Sequence, residues 1–164
     1  MNILEILMIA VGLAMDAFAV SIAAGTSGRL DGKRATFRLS FHFGLFQAMM
    51  PLIGWYAGVH IAHLISAFDH WVAFGLLLIV GGRMIIASFK SEAETFDKDP
   101  SKGFSLVLLS VATSIDALAV GLSMALLGVA IWFPSVVIGL VAAGLTTLGL
   151  LLGNRLGGRC GFWA

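Results

Sequence analysis

Two aspartates occupy matching places in an otherwise apolar sequence. Asp16 and Asp116 stand 100 residues apart, and each lies within a long run of apolar residues. If these runs lie in lipid, an ionised carboxylate there costs about 2.5–3.5 kcal/mol, and such residues are functional candidates by default. Two facing acids favour a cation between them, and hard divalent ions take oxygen ligands. The structural alternative is a buried pair that only holds two helices in register.

The residues around both aspartates are also alike. Ala14–Val20 recurs 100 residues later as Ser114–Val120. Spacings of i, i+4, i+7 and i+11 place small residues on the same helical face as each aspartate. The two stripes are Gly12, Asp16, Ala19 and Ala23, then Ala112, Asp116, Ala119 and Ser123. Small residues allow close helix packing, so we expect the carboxylates to face one another or a shared cavity.

Two aspartates supply two ligands, so other groups are expected to complete a metal site. The oxygen candidates are Gln47, Thr113, Ser114, Thr146 and Thr147. Met15 is a weaker candidate: a soft thioether would favour a transition metal, but its counterpart is Ile115. Gln47 has the alternative of serving as an interhelical hydrogen-bonding group. Pro51 is expected to kink its span and to free backbone carbonyls near Gln47.

Other ionisable residues suggest proton movement or gating. Protonatable acids would let a proton displace the ion as the site changes face. His42 is a weak candidate for a proton relay. Arg83 is a weak candidate for gating, with snorkelling to the interface as the alternative. Three histidines are expected near the outer loop, as surface residues or as a metal contact on the release side: His60, His63 and His70.

The composition defines the class of protein. The residues A, V, I, L, M, F, W, Y and C make up 59% of the 164 residues, and charged residues make up 12%. The mean hydropathy is +1.00. These values exclude a soluble enzyme and indicate an integral membrane protein. The net charge of +1 gives no reason to expect a nucleic-acid partner, and no cofactor motif occurs. An intramembrane aspartyl protease is disfavoured because neither aspartate follows a Gly-x-Gly motif.

Five apolar stretches are long enough to cross a bilayer as helices. They are Ile3–Ala24, Phe37–Ile61, Trp71–Phe89, Phe104–Ala130 and Phe133–Gly153. All ten Lys and Arg residues fall in or beside the first and third connections or in the tail. The positive-inside rule therefore predicts a multi-pass inner-membrane protein with Met1 outside and the C-terminus of this chain in the cytoplasm.

Glycines extend the internal repeat to the second span. Gly44, Gly54 and Gly58 match Gly139, Gly149 and Gly153 at an offset of 95 residues. The predicted organisation is a first repeat at 1–90, a charged cytoplasmic linker at 91–103 and a second repeat at 104–164. A unit of three spans inverts its second copy, which predicts an all-α polytopic bundle with a site near the midplane. The sequence therefore predicts five spans of an expected six, with the third helix of the second repeat missing.

Several motifs resemble one family in collinear order. They are Met15–Ala19, Pro51–Trp55, His70–Phe74, Gly81–Ile86 and Ala112–Ala117. Together they resemble the MntP family, the manganese efflux pumps of bacteria. The resemblance implies a membrane exporter of Mn²⁺ with two inverted three-helix repeats, in which Asp16 and Asp116 are critical for transport. It also implies that the chain is truncated before its sixth helix. Lipid and Mn²⁺ are the expected partners, with a homo-oligomer as a further option. The alternatives are an exporter of another divalent cation or small solute, or a truncated membrane protein that does not transport.

Overall fold

The computed structural model describes residues 1–28, 30, 32–65 and 100–160, without the side chains of 61–65 and 158–160. These residues form five α-helices: α1 (Ile3–Thr26), α2 (Gly32–Ile65), α3 (Gly103–Ala112), α4 (Ile115–Leu126) and α5 (Trp132–Cys160). The all-helical prediction is confirmed for this part of the chain. The predicted span Trp71–Phe89 with Arg83, the linker residues 91–99, His70 and the side chain of His63 lie outside the described residues.

Several helices have the length and composition of membrane spans. Ile3–Thr26 and Trp132–Gly157 are each long and apolar enough, and α3 with α4 forms a third candidate bent by 40°. At 1.5 Å per residue, the 24 residues of α1 extend about 36 Å, which exceeds a hydrocarbon core of about 30 Å. α2 has 34 residues but is less apolar, since it includes Gln47 and three histidines. The chain is therefore a helical membrane protein.

The outer surface of the described helices is apolar, as a lipid-facing surface should be. Phe104 is 79% exposed, Phe37 is 70% exposed and Leu140 is 69% exposed. Large apolar patches of this kind are unfavourable in water and rare on soluble monomers. In a bilayer the same side chains lie in a solvent that matches them.

The fourth predicted span, Phe104–Ala130, is two helices rather than one. Thr113 closes α3 with an N–H bond to the Leu109 carbonyl at 3.0 Å, and the Ser114 N–H bonds the Val111 carbonyl at 3.1 Å in a tighter turn. The Thr113 hydroxyl also bonds the Leu109 carbonyl, at 2.9 Å. A hydroxyl that competes for helical carbonyls favours a bend at this point. By contrast, α2 continues through Pro51 without interruption.

Close backbone contacts set the packing of α1 on α5 and of α2 on α4. A Cβ added to Gly149 would lie 2.8 Å from the Phe18 carbonyl oxygen, and one at Gly54 would overlap the Leu118 carbonyl oxygen. These two contacts are equivalent, because Gly149 follows Gly54 by 95 residues and Leu118 follows Phe18 by 100 residues. Glycine permits this approach because it has no Cβ.

The crossing of α2 with α5 shows the same reciprocity. A Cβ at Gly44 would meet the Ala143 Cβ at 2.8 Å, and a Cβ at Gly139 would meet the Ala48 Cβ at 2.7 Å. Gly139 follows Gly44 by 95 residues, and Ala143 follows Ala48 by 95 residues. The two contacts are therefore equivalent, with the roles of α2 and α5 exchanged. The two halves of the described chain therefore use equivalent positions to contact each other.

The small-residue stripe proposed from the sequence is not the packing seam of α1. Gly12, Ala19 and Ala23 are exposed, and no described residue lies within 4 Å of a Cβ placed on Gly12. The seam of α1 instead includes Ala17 and Ser21, which are fully buried. Among the helices that the structure describes, this stripe is therefore not the face on which α1 packs. Both faces of α1 carry small residues, and the glycines of α5 pack against the face that includes Ala17 and Ser21.

Candidate metal centre

The structure brings the two membrane aspartates together. The carboxyl groups of Asp16 and Asp116 lie close enough for a side-chain hydrogen bond between them. Asp16 is exposed and Asp116 is half-buried. A hydrogen bond between two carboxyl groups requires a proton on one of them, because two carboxylates in contact repel each other. A cation between the two groups can take the place of that proton.

Different helical contexts position the two carboxyl groups. Asp16 lies in the middle of α1, whereas Asp116 is in the first turn of α4. The N-terminus of a helix favours a negative charge, because its free N–H groups and its dipole point toward it. The break after α3 therefore gives Asp116 a favourable electrostatic environment that a continuous helix would lack.

A small apolar cluster anchors the helices beside the aspartates. Ala10 and Leu13 of α1 pack with Ala117 of α4 and Ile138 of α5. Leu13 is three residues before Asp16, and Ala117 directly follows Asp116. Positions three residues apart are neighbours on a helix surface, so this contact holds the two acidic positions near each other.

Gln47 of α2 connects the two segments that carry the aspartates. Its Nε2 donates to the Leu13 carbonyl at 3.1 Å and to the Thr113 carbonyl at 2.8 Å. The residue has no exposed surface. Only the NH₂ end of the amide can face two carbonyl oxygens, so the partners settle its orientation. Leu13 and Thr113 each precede an aspartate by three residues.

Three buried side-chain oxygens have no hydrogen-bond partner within the described residues: Gln47 Oε1, Ser114 Oγ and Thr146 Oγ1. All three residues are fully buried. A buried polar group without a partner costs about 1–3 kcal/mol. Gln47 bonds the Thr113 carbonyl at the helix break, and Ser114 lies in that break, two residues before Asp116. Groups of this kind suit a ligand that supplies the missing interaction.

The remaining predicted ligands are placed less favourably. The Thr113 hydroxyl bonds the carbonyls of Leu109 and Ser110, at 2.9 and 3.3 Å. The Thr147 hydroxyl lies 2.9 Å from Ser40 Oγ and 2.8 Å from the Ala143 carbonyl oxygen. Both hydroxyls are thus engaged within the protein. Met15 is 51% exposed, on a different helical face from the aspartate beside it.

His42 has contacts on its own helix rather than with the acids. Its Nδ1 lies 2.8 Å from the Arg38 carbonyl oxygen, a distance at which the ring nitrogen donates. Its ring meets Phe41 edge-on, with the centroids 5.8 Å apart. In the part of the chain that the structure describes, no three His, Cys, Asp or Glu residues group to hold a metal. A metal here would combine two carboxylates with neutral oxygens.

Sequence reasoning expected backbone carbonyls near Gln47 but did not identify which residues supply them. The carbonyl oxygens that Gln47 contacts belong to Leu13 and Thr113, and no side-chain pattern identifies them. Two further long-range bonds were also missed. Trp55 Nε1 donates to the Val129 carbonyl at 2.9 Å, and an Arg38 guanidinium nitrogen donates to Ser101 Oγ at 2.9 Å. They join α2 to the segments that follow α4 and precede α3.

The adjacent threonines of α5 provide a stability test. Replacing Thr146 by Val removes a buried oxygen that has no partner among the described residues. We therefore expect the free energy of unfolding to stay unchanged or to rise by about 1 kcal/mol, which the thermal midpoint in detergent would show. Thr147→Val is the matched control: it removes a bonded hydroxyl and should cost about 0.5–1.5 kcal/mol. Equal losses in the two variants would mean that the Thr146 hydroxyl has a partner in solution.

Comparison with known proteins gives one consistent family. The family described as "Mntp: Putative manganese efflux pump" matches residues 31–164. A protein of Syntrophotalea carbinolica is 54% identical over 163 residues, which cover 98% of this chain and 86% of the relative. A protein of Citrifermentans bemidjiense is 57% identical over 162 residues, covering 98% and 86%. Each is named "Putative manganese efflux pump MntP". No solved structure matches the chain.

Proposed function

Because the chain belongs to the MntP family of manganese efflux pumps, we propose that it exports Mn²⁺ as a secondary transporter, with Asp16 and Asp116 binding the ion. The family is one of transporters, so the chain is not an enzyme. The observation that carries the proposed site is the meeting of the two carboxyl groups. Two carboxylates together balance the charge of one divalent cation.

The donor set around the pair suits a hard divalent ion. Carboxylate, amide and hydroxyl oxygens are the ligands that Mn²⁺ accepts in octahedral sites. Gln47 Oε1 and Ser114 Oγ are buried without partners, and both would gain one by contacting the ion. Asp16 is exposed among the described residues, so its side of the site leaves room for a further ligand such as water. Thr113 and Met15 are weaker members of the set, because the Thr113 hydroxyl already bonds carbonyls and Met15 faces outward.

Proton exchange follows from the same pair of acids. Without an ion, the contact between the carboxyl groups requires a proton; with an ion bound, both groups are anionic. Binding of Mn²⁺ therefore releases a proton, and return of a proton expels the ion. In a cell, an inward proton gradient would drive export by this exchange. His42 has no part in this scheme, since its contacts lie on its own helix.

Alternating access is supported by the reciprocal contacts between the halves. Gly54 meets Leu118 as Gly149 meets Phe18, and Gly44 and Gly139 exchange roles at the crossing of α2 with α5. Such equivalence is what two inverted repeats around a central site would produce. We propose the inverted arrangement in the inner membrane, with Met1 outside and the tail in the cytoplasm, as the distribution of Lys and Arg indicates.

An all-oxygen site also suits Ca²⁺ or Mg²⁺, so export of another divalent cation is the second candidate. Transport by the purified protein in liposomes separates the two. The initial rate of Mn²⁺ entry should rise when the interior is acidic, because protons leave as the ion enters, and a protonophore should abolish that increase. Excess Mg²⁺ or Ca²⁺ should compete weakly. Equal competition by Ca²⁺ would favour a general divalent exporter, and no flux of any ion would contradict transport by this chain.

A further inference from the structure

We propose that Gln47 is a positioning residue, which sets the spacing of the Asp16 and Asp116 carboxylates by holding the carbonyls of Leu13 and Thr113 together. This inference rests on the proposed ion site and adds a role that ligation alone does not include. In that role the NH₂ end of the amide acts on the protein, while its oxygen remains free for the ion.

Both N–H bonds of the amide are used, and each reaches a different segment. The bonds of 3.1 and 2.8 Å join residues 34 and 66 positions away in the sequence. No other described side chain bonds α1 and the α3–α4 break at once. We call this pair of hydrogen bonds the amide bridge.

The two carbonyls can accept these bonds for different reasons. Thr113 lies between α3 and α4, and none of the backbone bonds described outside the helices ends on its carbonyl. Leu13 lies inside α1, where a carbonyl has a second lone pair beyond the one used in the helix. The break in the fourth span is therefore what makes one end of the amide bridge available.

The amide bridge lies at the same register relative to both acids. Leu13 precedes Asp16 by three residues, as Thr113 precedes Asp116. If either backbone rotates or shifts at the bridged carbonyl, the aspartate that lies about one turn further along the same segment moves with it. Loss of the bridge would therefore leave both acids on their segments, but the distance between the two carboxylates would no longer be fixed.

The substitution Gln47→Glu separates positioning from ligation, because glutamate has the same shape as glutamine. The introduced carboxyl group would keep an oxygen for the ion but, when ionised, would offer no donor to the two carbonyls. When protonated, it could still donate to one of them. The other titratable groups near this point are Asp16 on α1 and Asp116 on α4. The residues that α5 presents to α2 here, Gly139 and Ala143, do not titrate.

Mn²⁺ transport by Gln47→Glu and by the parent is compared in liposomes across pH. Both proteins retain the aspartates, so the ratio of their initial rates reports the effect of the substitution at residue 47, including its electrostatic effect on the two aspartates. We expect this ratio to fall at least about tenfold from about pH 6 to about pH 9, as the introduced carboxyl group loses its proton. A ratio that is constant across this range, or a lower KM for Mn²⁺ in Gln47→Glu at every pH, would overturn the proposal and leave Gln47 as a ligand only.

A second measurement needs no transport. Spin labels on cysteines at the exposed positions Ala23 and Ser123, with Cys160→Ser removing the native cysteine, report the distance between α1 and α4. In Gln47→Leu, which lacks both donors, the distance distribution should shift or broaden relative to the parent. An unchanged distribution would overturn the amide bridge. Because this readout is structural, a parent that carries no Mn²⁺ would contradict the proposed function and still leave the bridge open to test.

Discussion

Replacing Asp16 or Asp116 by Asn is expected to reduce Mn²⁺ transport in liposomes at least about 100-fold. Each substitution keeps the shape of the side chain but removes one of the two charges that balance the ion. In a site of low dielectric constant a single charge contributes several kcal/mol, and each 1.4 kcal/mol corresponds to about a factor of ten. Cells without manganese export should also lose the protection against Mn²⁺ that the parent provides.

These variants should still insert and fold. An amide costs less than a carboxylate in lipid, so the amount of protein in the membrane and its thermal midpoint should match or exceed those of the parent. Glu5→Gln is the matched control, since Glu5 lies at the start of α1 and its carboxylate accepts a hydrogen bond from the Asn2 N–H, at 3.1 Å. It should transport like the parent. Parental rates in both aspartate variants would refute the site assignment.

Gly54→Ala is expected to be strongly destabilising, as one of two glycine positions in the described helices, with Gly121, where an added Cβ would overlap a carbonyl oxygen of the facing helix most severely. A Cβ at this position would overlap the Leu118 carbonyl oxygen and would lie 3.1 Å from the Leu122 nitrogen. Both obstacles are backbone atoms, so no rotamer change can relieve the overlap, and α2 must move away from α4. We expect a loss of about 3 kcal/mol, at the upper end of the usual cost of overpacking. The thermal midpoint in detergent measures it.

Gly144→Ala provides the control within the same kind of element. Gly144 lies in α5, and within the described part of the chain no atom lies within 4 Å of the added Cβ. Alanine is favoured over glycine in a helix by about 1 kcal/mol, so this variant should be as stable as the parent or slightly more stable. Similar losses at the two positions would show that the helices do not pack through Gly54.

The class of protein and its pair of membrane acids could be identified from the sequence alone. Transfer into lipid is a local property that adds along each segment, so composition predicts apolar helices without knowledge of their partners. An aspartate in such a helix is costly wherever the helix packs, and the recurrence after 100 residues identifies Asp16 and Asp116 as a pair. In the structure these two carboxyl groups lie close together.

Only the tertiary structure decided how that pair is held. The predicted continuous span is broken at Thr113, and the expected small-residue stripe through Gly12 is not the packing seam of α1. Gln47 joins two carbonyls that are 34 and 66 residues away in the sequence. Each of these features depends on which helix faces meet. Because both faces of α1 carry small residues, the sequence allows either face to pack against another helix. Close backbone contacts at glycines such as Gly54 and Gly149 determine which faces meet. Such a contact depends on the position of the facing helix as much as on the glycine itself, so the sequence of one helix does not reveal it.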